Sequence, residues 1–187
     1  MVEWINDKTV GGLMDLEGSL KEIFDIVLKQ YDMLFHCVIP VEDHVVKKNN
    51  RPIYRRHDGT PFIGKGPRLR EAEEYMTLRF RSEANRAGLY SPITGNIWAV
   101  FLFRFEKNWF YTKTGAEREN IADLSNLIEL PQDCLQEAGV IKNDSRIVSL
   151  DLSRRLPADD YSLEVYIFRH KSSKPPITPP KKGDFDA

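Results

Sequence analysis

The sequence predicts an α+β domain: a mixed β-sheet with two core helices over it, preceded by one extra helix. Three observations carry this. Apolar residues recur at helical spacing around residues 20–34, 67–87 and 126–138. Short alternating or wholly apolar runs at 35–41, 98–105, 145–153 and 161–169 read as strands. Gly, Pro, Asn and Asp punctuate the boundaries between them. After the first helix the order is β-α-β-α-β-β.

Residues 1–34 read as an N-terminal helical extension. Ser19-Leu-Lys-Glu22 has the form of a capping box, in which hydroxyl and carboxylate satisfy free N–H groups at a helix start. Leu20, Ile23, Val27, Tyr31 and Leu34 then form one stripe, widened by Phe24 and Leu28. A lone helix cannot hide that face, so it packs on the main domain or on a second subunit. Residues 35–170 form the main domain. Its first strand, Phe35 to Val41, ends at Pro40 and the acidic Glu42-Asp43. Turn signals at Asn49-Asn50, Asp58-Gly59 and Gly64–Pro67 predict a hairpin or long loop over 44–66. Pro67 opens a helix to about Ala87, with Leu69, Ala72, Met76, Phe80 and Ala84 inward. Trp98 to Phe105 is short and nearly all apolar, as in a central strand covered on both faces. A polar loop spans 106–122. The next helix, 126–138, turns Leu127, Leu130, Cys134 and Ala138 inward and stops at Gly139. Two alternating strands follow, with a turn at Pro157–Asp160. The tail, 171–187, is rich in Pro and Lys and reads as flexible or extended.

Composition narrows the function classes. No apolar run approaches the roughly 20 residues of a membrane helix, and the opening MVEWINDK lacks the regions of a secretory signal. Cys37 and Cys134, the two cysteines, sit among apolar neighbours and read as reduced core thiols, which points to the cytoplasm. The four histidines show no ligand spacing with them, and His36 and Cys37 adjoin on a strand and face opposite ways. The net charge is only −1, but its distribution is uneven. Lys47, Lys48, Arg51, Arg55, Arg56, Lys65, Arg68 and Arg70 crowd one segment against a single acid, Asp58. That segment suits contact with a phosphate backbone, or else is a solvated basic loop.

The chemistry-bearing stretch is 122–154. Asp123-Leu-Ser-Asn126 leads into the second core helix; Gly139-Val-Ile141 ends it; Asn143-Asp-Ser145 precedes a strand. Two aspartates thus bracket one helix–loop–strand unit, and paired carboxylates of this kind hold Mg²⁺ for phosphodiester hydrolysis. The ordered set resembles the RusA family of Holliday-junction resolvases, endonucleases of bacteria and their phages, and the likeness extends more weakly over residues 36–170. The resemblance implies a homodimer with one active site per subunit, four-way DNA junctions as substrate, and Mg²⁺, with Mn²⁺ as a substitute. It implies a cytoplasmic bacterial or phage-encoded protein. Asp123 and Asp144 match the first and last catalytic acids of the family and are the first-choice metal ligands, brought together by the intervening helix. Ser125 stands where many relatives carry a second Asp; it would assist at the metal or cap the helix. Asn126 matches the family's Asn. Glu129 replaces the usual Lys. It either supplies the carboxylate lost at Ser125 or forms a capping box with Asn126, and Pro131 would disturb the turn between them. Lys142, Lys113 and Arg118 are candidates for the missing cation. Lys65 resembles a basic position ahead of the family's first helix, and Arg68 and Arg70 extend that surface.

Overall fold

The computed structural model describes residues 13–41, 53–55, 57–63, 66–118 and 123–171, with side chains of 13–21, 53–54 and 62–63 excepted. The elements are α1 Leu13–Gln30, β1 Tyr31–Pro40, β2 Ile53–Arg55, β3 Pro61–Ile63, α2 Pro67–Arg86, β4 Ile97–Glu106, α3 Leu124–Glu137, β5 Ile147–Ser149, β6 Arg154–Ala158 and β7 Ser162–His170. They make a mixed α+β fold with an open sheet of five strands, ordered β1-β7-β4-β5, with β6 also on β4. β7 is antiparallel to β1 and β4, whereas β5 and β6 run parallel to β4. No helix among the described residues is long and apolar enough to cross a membrane. The expected flexible tail beyond Lys171 lies outside the described residues.

β4 is buried on both faces because its alternate residues meet different helices. Ala99, Phe101, Phe103 and Phe105 join the main core with Leu69, Ala72, Met76, Phe80 and Ala84 of α2 and Leu127, Leu130 and Cys134 of α3. Val100 and Leu102 face the other way, where Phe168 and Leu156 complete a second cluster with Val27, Ile23 and Phe24 of α1. The Phe24 ring lies 4.5 Å from that of Tyr166. Of the two expected placements for α1, the chain realises packing on its own sheet.

Four boundaries differ from the sequence reading. α1 starts at Leu13, so Ser19–Glu22 lies inside the helix and cannot cap its start. It stops at Gln30, and Tyr31 and Leu34 belong to β1 instead of the helical stripe. The stop has a tertiary cause: Lys171 donates its backbone N–H to the Gln30 carbonyl at 2.9 Å and its ammonium to the Leu28 carbonyl at 2.7 Å. Those are carbonyls a helix end leaves without partners. α3 begins at Leu124, so Asn126–Glu129 is not a capping box, and the helix continues through Pro131. Finally, the run 145–153 is not one strand. A 3₁₀ turn, Asp144–Arg146, leads to β5, the chain bends at Asp151-Leu152 (Leu152 φ 71°), and β6 follows, running into the first half of the turn expected at Pro157–Asp160. Side chains bridge the gap in the ladder. Ser153 Oγ accepts from Phe101 N at 3.1 Å, and Trp98 Nε1 donates to the Asp151 carbonyl at 2.9 Å. Pro157 is tolerated because β6 is an edge strand.

The sheet face toward α1 also holds a buried carboxylate, Glu164, 8% exposed. Arg104 donates to one oxygen; Tyr166 Oη donates to the other at 2.5 Å, where His36 Nε2 lies 2.9 Å away. Burial is the largest single influence on Glu164 and opposes its charge. The hydrogen bonds from Tyr166, Arg104 and His36 together outweigh it and hold the carboxyl below its ordinary 4.5. A lowered folded-state pKa contributes stability above 4.5 that is lost as the pH falls through the folded value. Glu164→Gln should therefore cost about 1–3 kcal/mol at pH 7, and its deficit relative to the parent should shrink below pH 4.5. Urea unfolding at both pH values measures this; a deficit of constant size would show that the charge is not what matters.

Candidate functional site

The chain leaves the C-terminal end of β4 at Glu106, passes through the loop 107–118 and reaches Asp123 at the N-cap of α3. The helix then runs back along the sheet and ends at Gly139, whose φ of 76° suits a residue without a Cβ. The returning segment bridges Ile93 at Ile141, turns through Asp144–Arg146, and enters β5 opposite Ile97, at the N-terminal end of β4. This is a parallel strand–helix–strand crossover.

That topology decides where the carboxylates lie. Asp123 sits before the first turn of α3, while Asp144 donates its backbone N–H to Gln136 Oε1 at 3.0 Å, beside the last turn. From Asp123 to Gln136 the helix rises about 20 Å. Oxygens sharing one Mg²⁺ each approach to about 2.1 Å. The structure therefore keeps Asp123 and Asp144 of one chain apart; the helix does not bring them together as expected.

At the Asp123 end the local geometry is open. Asp123 is exposed and its side chain makes no capping bond; Asn126 Nδ2 lies 3.4 Å from its Oδ2, which fits an orienting role for that Asn. Ser125 is exposed and is the second helical residue, so it does not occupy the cap. Glu129, also exposed, lies one turn beyond Ser125 on the same face. It is six residues and about 120° of helix rotation from Asp123. Among the described residues no group of three or more His, Cys, Asp or Glu is placed to hold a metal ion. Asp123 with the nearby Ser125 fits a Mg²⁺ that takes one carboxylate and otherwise water and phosphate oxygens. Among the described residues, those of a single chain do not bring three acids together at one centre.

Of the basic candidates, Arg55 is exposed on β2, and Arg68 and Arg70 are exposed in the first turn of α2. The β2–β3 hairpin turns at Asp58-Gly59 as expected, with Thr60 N donating to Asp58 Oδ1 at 2.9 Å. Lys47, Lys48, Arg51, Arg56 and Lys65 lie outside the described residues. Lys142 stands at the Asp144 end of α3, whereas Lys113 and Arg118 stand on the loop leading toward Asp123. That loop is more ordered than its polar sequence suggested. Thr112 N donates to the Ala116 carbonyl at 2.7 Å, Arg118 N to the Phe110 carbonyl at 2.8 Å, and Trp109 stacks on Phe105 with centroids 4.9 Å apart. The signal lay in Trp109-Phe-Tyr111 and in Gly115, whose φ of 82° makes the turn. The two cysteines are free and buried, as expected, and burial followed by the Glu83 and Glu164 charges pushes the Cys37 thiol up to about 12, so it is unreactive.

Because Asp123 caps nothing with its side chain, Asp123→Asn should change unfolding free energy by less than about 1 kcal/mol, the scale of a charge–helix-dipole interaction. Thermal or urea denaturation checks this; a larger loss would make the residue structural. No protein-family model matches the chain, and no curated protein matches it.

Proposed function

We propose that the chain is a RusA-like, Mg²⁺-dependent endonuclease that cleaves four-way DNA junctions as a homodimer inside the cell. The observation that carries this reading is the ordered set Asp123–Asn126, Gly139–Ile141 and Asp144 laid on one strand–helix–strand crossover, with Asp123 exposed and uncapped. Mg²⁺ bound there would supply charge neutralisation on the phosphate and a more acidic water. Asp123 would hold it, Ser125 would hold a water by its hydroxyl, and Glu129, one turn on, would supply a further carboxylate on that face. Arg55, Arg68 and Arg70, with Lys47, Lys48, Arg51, Arg56 and Lys65, hold the DNA backbone.

The separation along α3 adds a condition. If one centre needs both carboxylates, Asp123 comes from one protomer and Asp144 from the other. The separation equally favours a second reading, a junction-binding protein that does not cut.

Nicking of a synthetic four-way junction in Mg²⁺ and Mn²⁺ tests these points. Asp123→Asn and Asp144→Asn should each lose at least about 100-fold. Mixed in equal amounts under exchange, they should regain about a quarter of parental nicking, since half the dimers then hold one intact composite site. A silent mixture beside an active parent would remove the shared site. Junction binding by a parent that never nicks would establish the second reading. Neutralising Arg68 and Arg70 together should flatten the logarithmic salt dependence of binding by up to about 1.8.

A further inference from the structure

The loop between β4 and α3 shapes an open-sided surface cavity of about 660 Å³, lined in part by Trp109, Tyr111, Lys107, Lys113 and Arg118. Its volume falls in the range that takes a small organic ligand. Three of the lining residues are cations, and among the described residues no acid lines it. The acids around it are turned to other work or to solvent: Glu106 accepts from Asn108 Nδ2 at 2.7 Å, Asp159, 3.5 Å from Lys107 Nζ, is almost wholly exposed, and Glu117, which bridges Tyr111 across the turn, is exposed.

The lining is held in place. Trp109 is pinned by its stack on Phe105 and by donating Nε1–H to Tyr161 Oη at 2.6 Å. Arg118 donates Nε–H to the Tyr111 carbonyl at 3.1 Å, which fixes its guanidinium plane. Its terminal nitrogens have no partner among the described residues, and neither has the Lys113 ammonium. A site with a pinned aromatic wall and an excess of positive charge suits a ligand that is planar at one end and anionic at the other. A nucleotide has that form. A base within a duplex has both faces covered by its neighbours, whereas an unpaired base is free to stack on a side chain.

We propose that this cavity holds one unpaired nucleotide of a DNA strand, its phosphate between Lys113 and Arg118 and its base against Trp109 and Tyr111. The assignment deepens the junction reading and rests on it only for the source of the strand, because an open four-way junction leaves the base pairs at its centre without a stacking neighbour and easily parted.

The test is fluorescence anisotropy of the full chain with a short labelled oligothymidylate across a salt series. Lys113→Ala combined with Arg118→Ala should weaken binding at least about tenfold and reduce the salt slope by about 0.7, the value for one single-strand phosphate. Tyr111→Leu should weaken it at least about fivefold with the slope unchanged, as expected for lost stacking. Lys113→Ala alone, at an exposed turn, covers the case in which the double variant folds poorly. An unchanged slope in the charge variants overturns the proposal. So does full displacement by thymidine monophosphate at equal nucleotide concentration, which would indicate a free-nucleotide site, or equally tight binding of a blunt duplex. Single-strand binding that shows these effects in a protein that neither binds nor nicks junctions would sustain the cavity assignment while removing the junction reading.

Discussion

Burial of β4 on both faces is the constraint from which the remaining arrangement follows. A ten-residue strand carrying Phe101, Phe103 and Phe105 on one side and Val100 and Leu102 on the other cannot leave either side in water. Two helices cover the first face and α1 covers the second. Fully burying one such side chain contributes roughly 1.5–3 kcal/mol, so this strand alone dominates what any single polar contact supplies. β7 completes it by pairing along most of its length on one edge, while β5 and β6 share the other.

The same constraint governs the chemistry. For β5 to lie parallel to β4, the connecting helix must carry the chain from the C-terminal end of the strand back to its N-terminal end. Residues flanking the helix are then separated by its whole length. Asp123 and Asp144 are such residues. Their spacing in sequence invited the idea of convergence, but a parallel crossover converts that spacing into distance, whereas a helical hairpin would have converted it into proximity. The strand–helix–strand order was legible in the sequence and already implied this outcome; the pairing direction of β5 is what makes it concrete.

Much else was legible for local reasons. The apolar stripe of α2 was legible, with the buried Thr77 alone missed, because amphipathic spacing and an opening Pro67 are both local signals. Gly139 and the Asp58-Gly59 turn were readable because positive φ selects glycine. What escaped depended on partners distant in sequence. The end of α1 is set by Lys171, 141 residues beyond Gln30. The interruption between β5 and β6 is held by Trp98 and by Ser153 against Phe101. Asp123 rather than Ser125 takes the N-cap although its side chain caps nothing, so no capping preference could have located that start. The Glu164 network joins β1, β4 and β7 through His36, Arg104 and Tyr166, and no short window of sequence contains it.

The two ends of α3 differ in what surrounds them, and that difference bears on the reversed charge at Glu129. A transition state of phosphodiester cleavage needs positive charge near the phosphate, and a Glu cannot provide it. At the Asp123 end, the approach loop carries Lys113 and Arg118 on a turn anchored by aromatic packing and by the Arg118 bond to Tyr111. At the Asp144 end, Lys142 is exposed and follows a backbone segment tied to Ile93. A guanidinium fixed at Nε presents its terminal nitrogens in one plane, which suits phosphate oxygens better than a mobile ammonium does. Under the proposed function, the cation that would stand in for the Lys of the resembled family is therefore better sought on the β4–α3 loop than beyond Gly139. Asp123, Ser125 and these cations belong to one end of the sheet, so under the proposed function Asp144 would reach a site there from another chain or serve none.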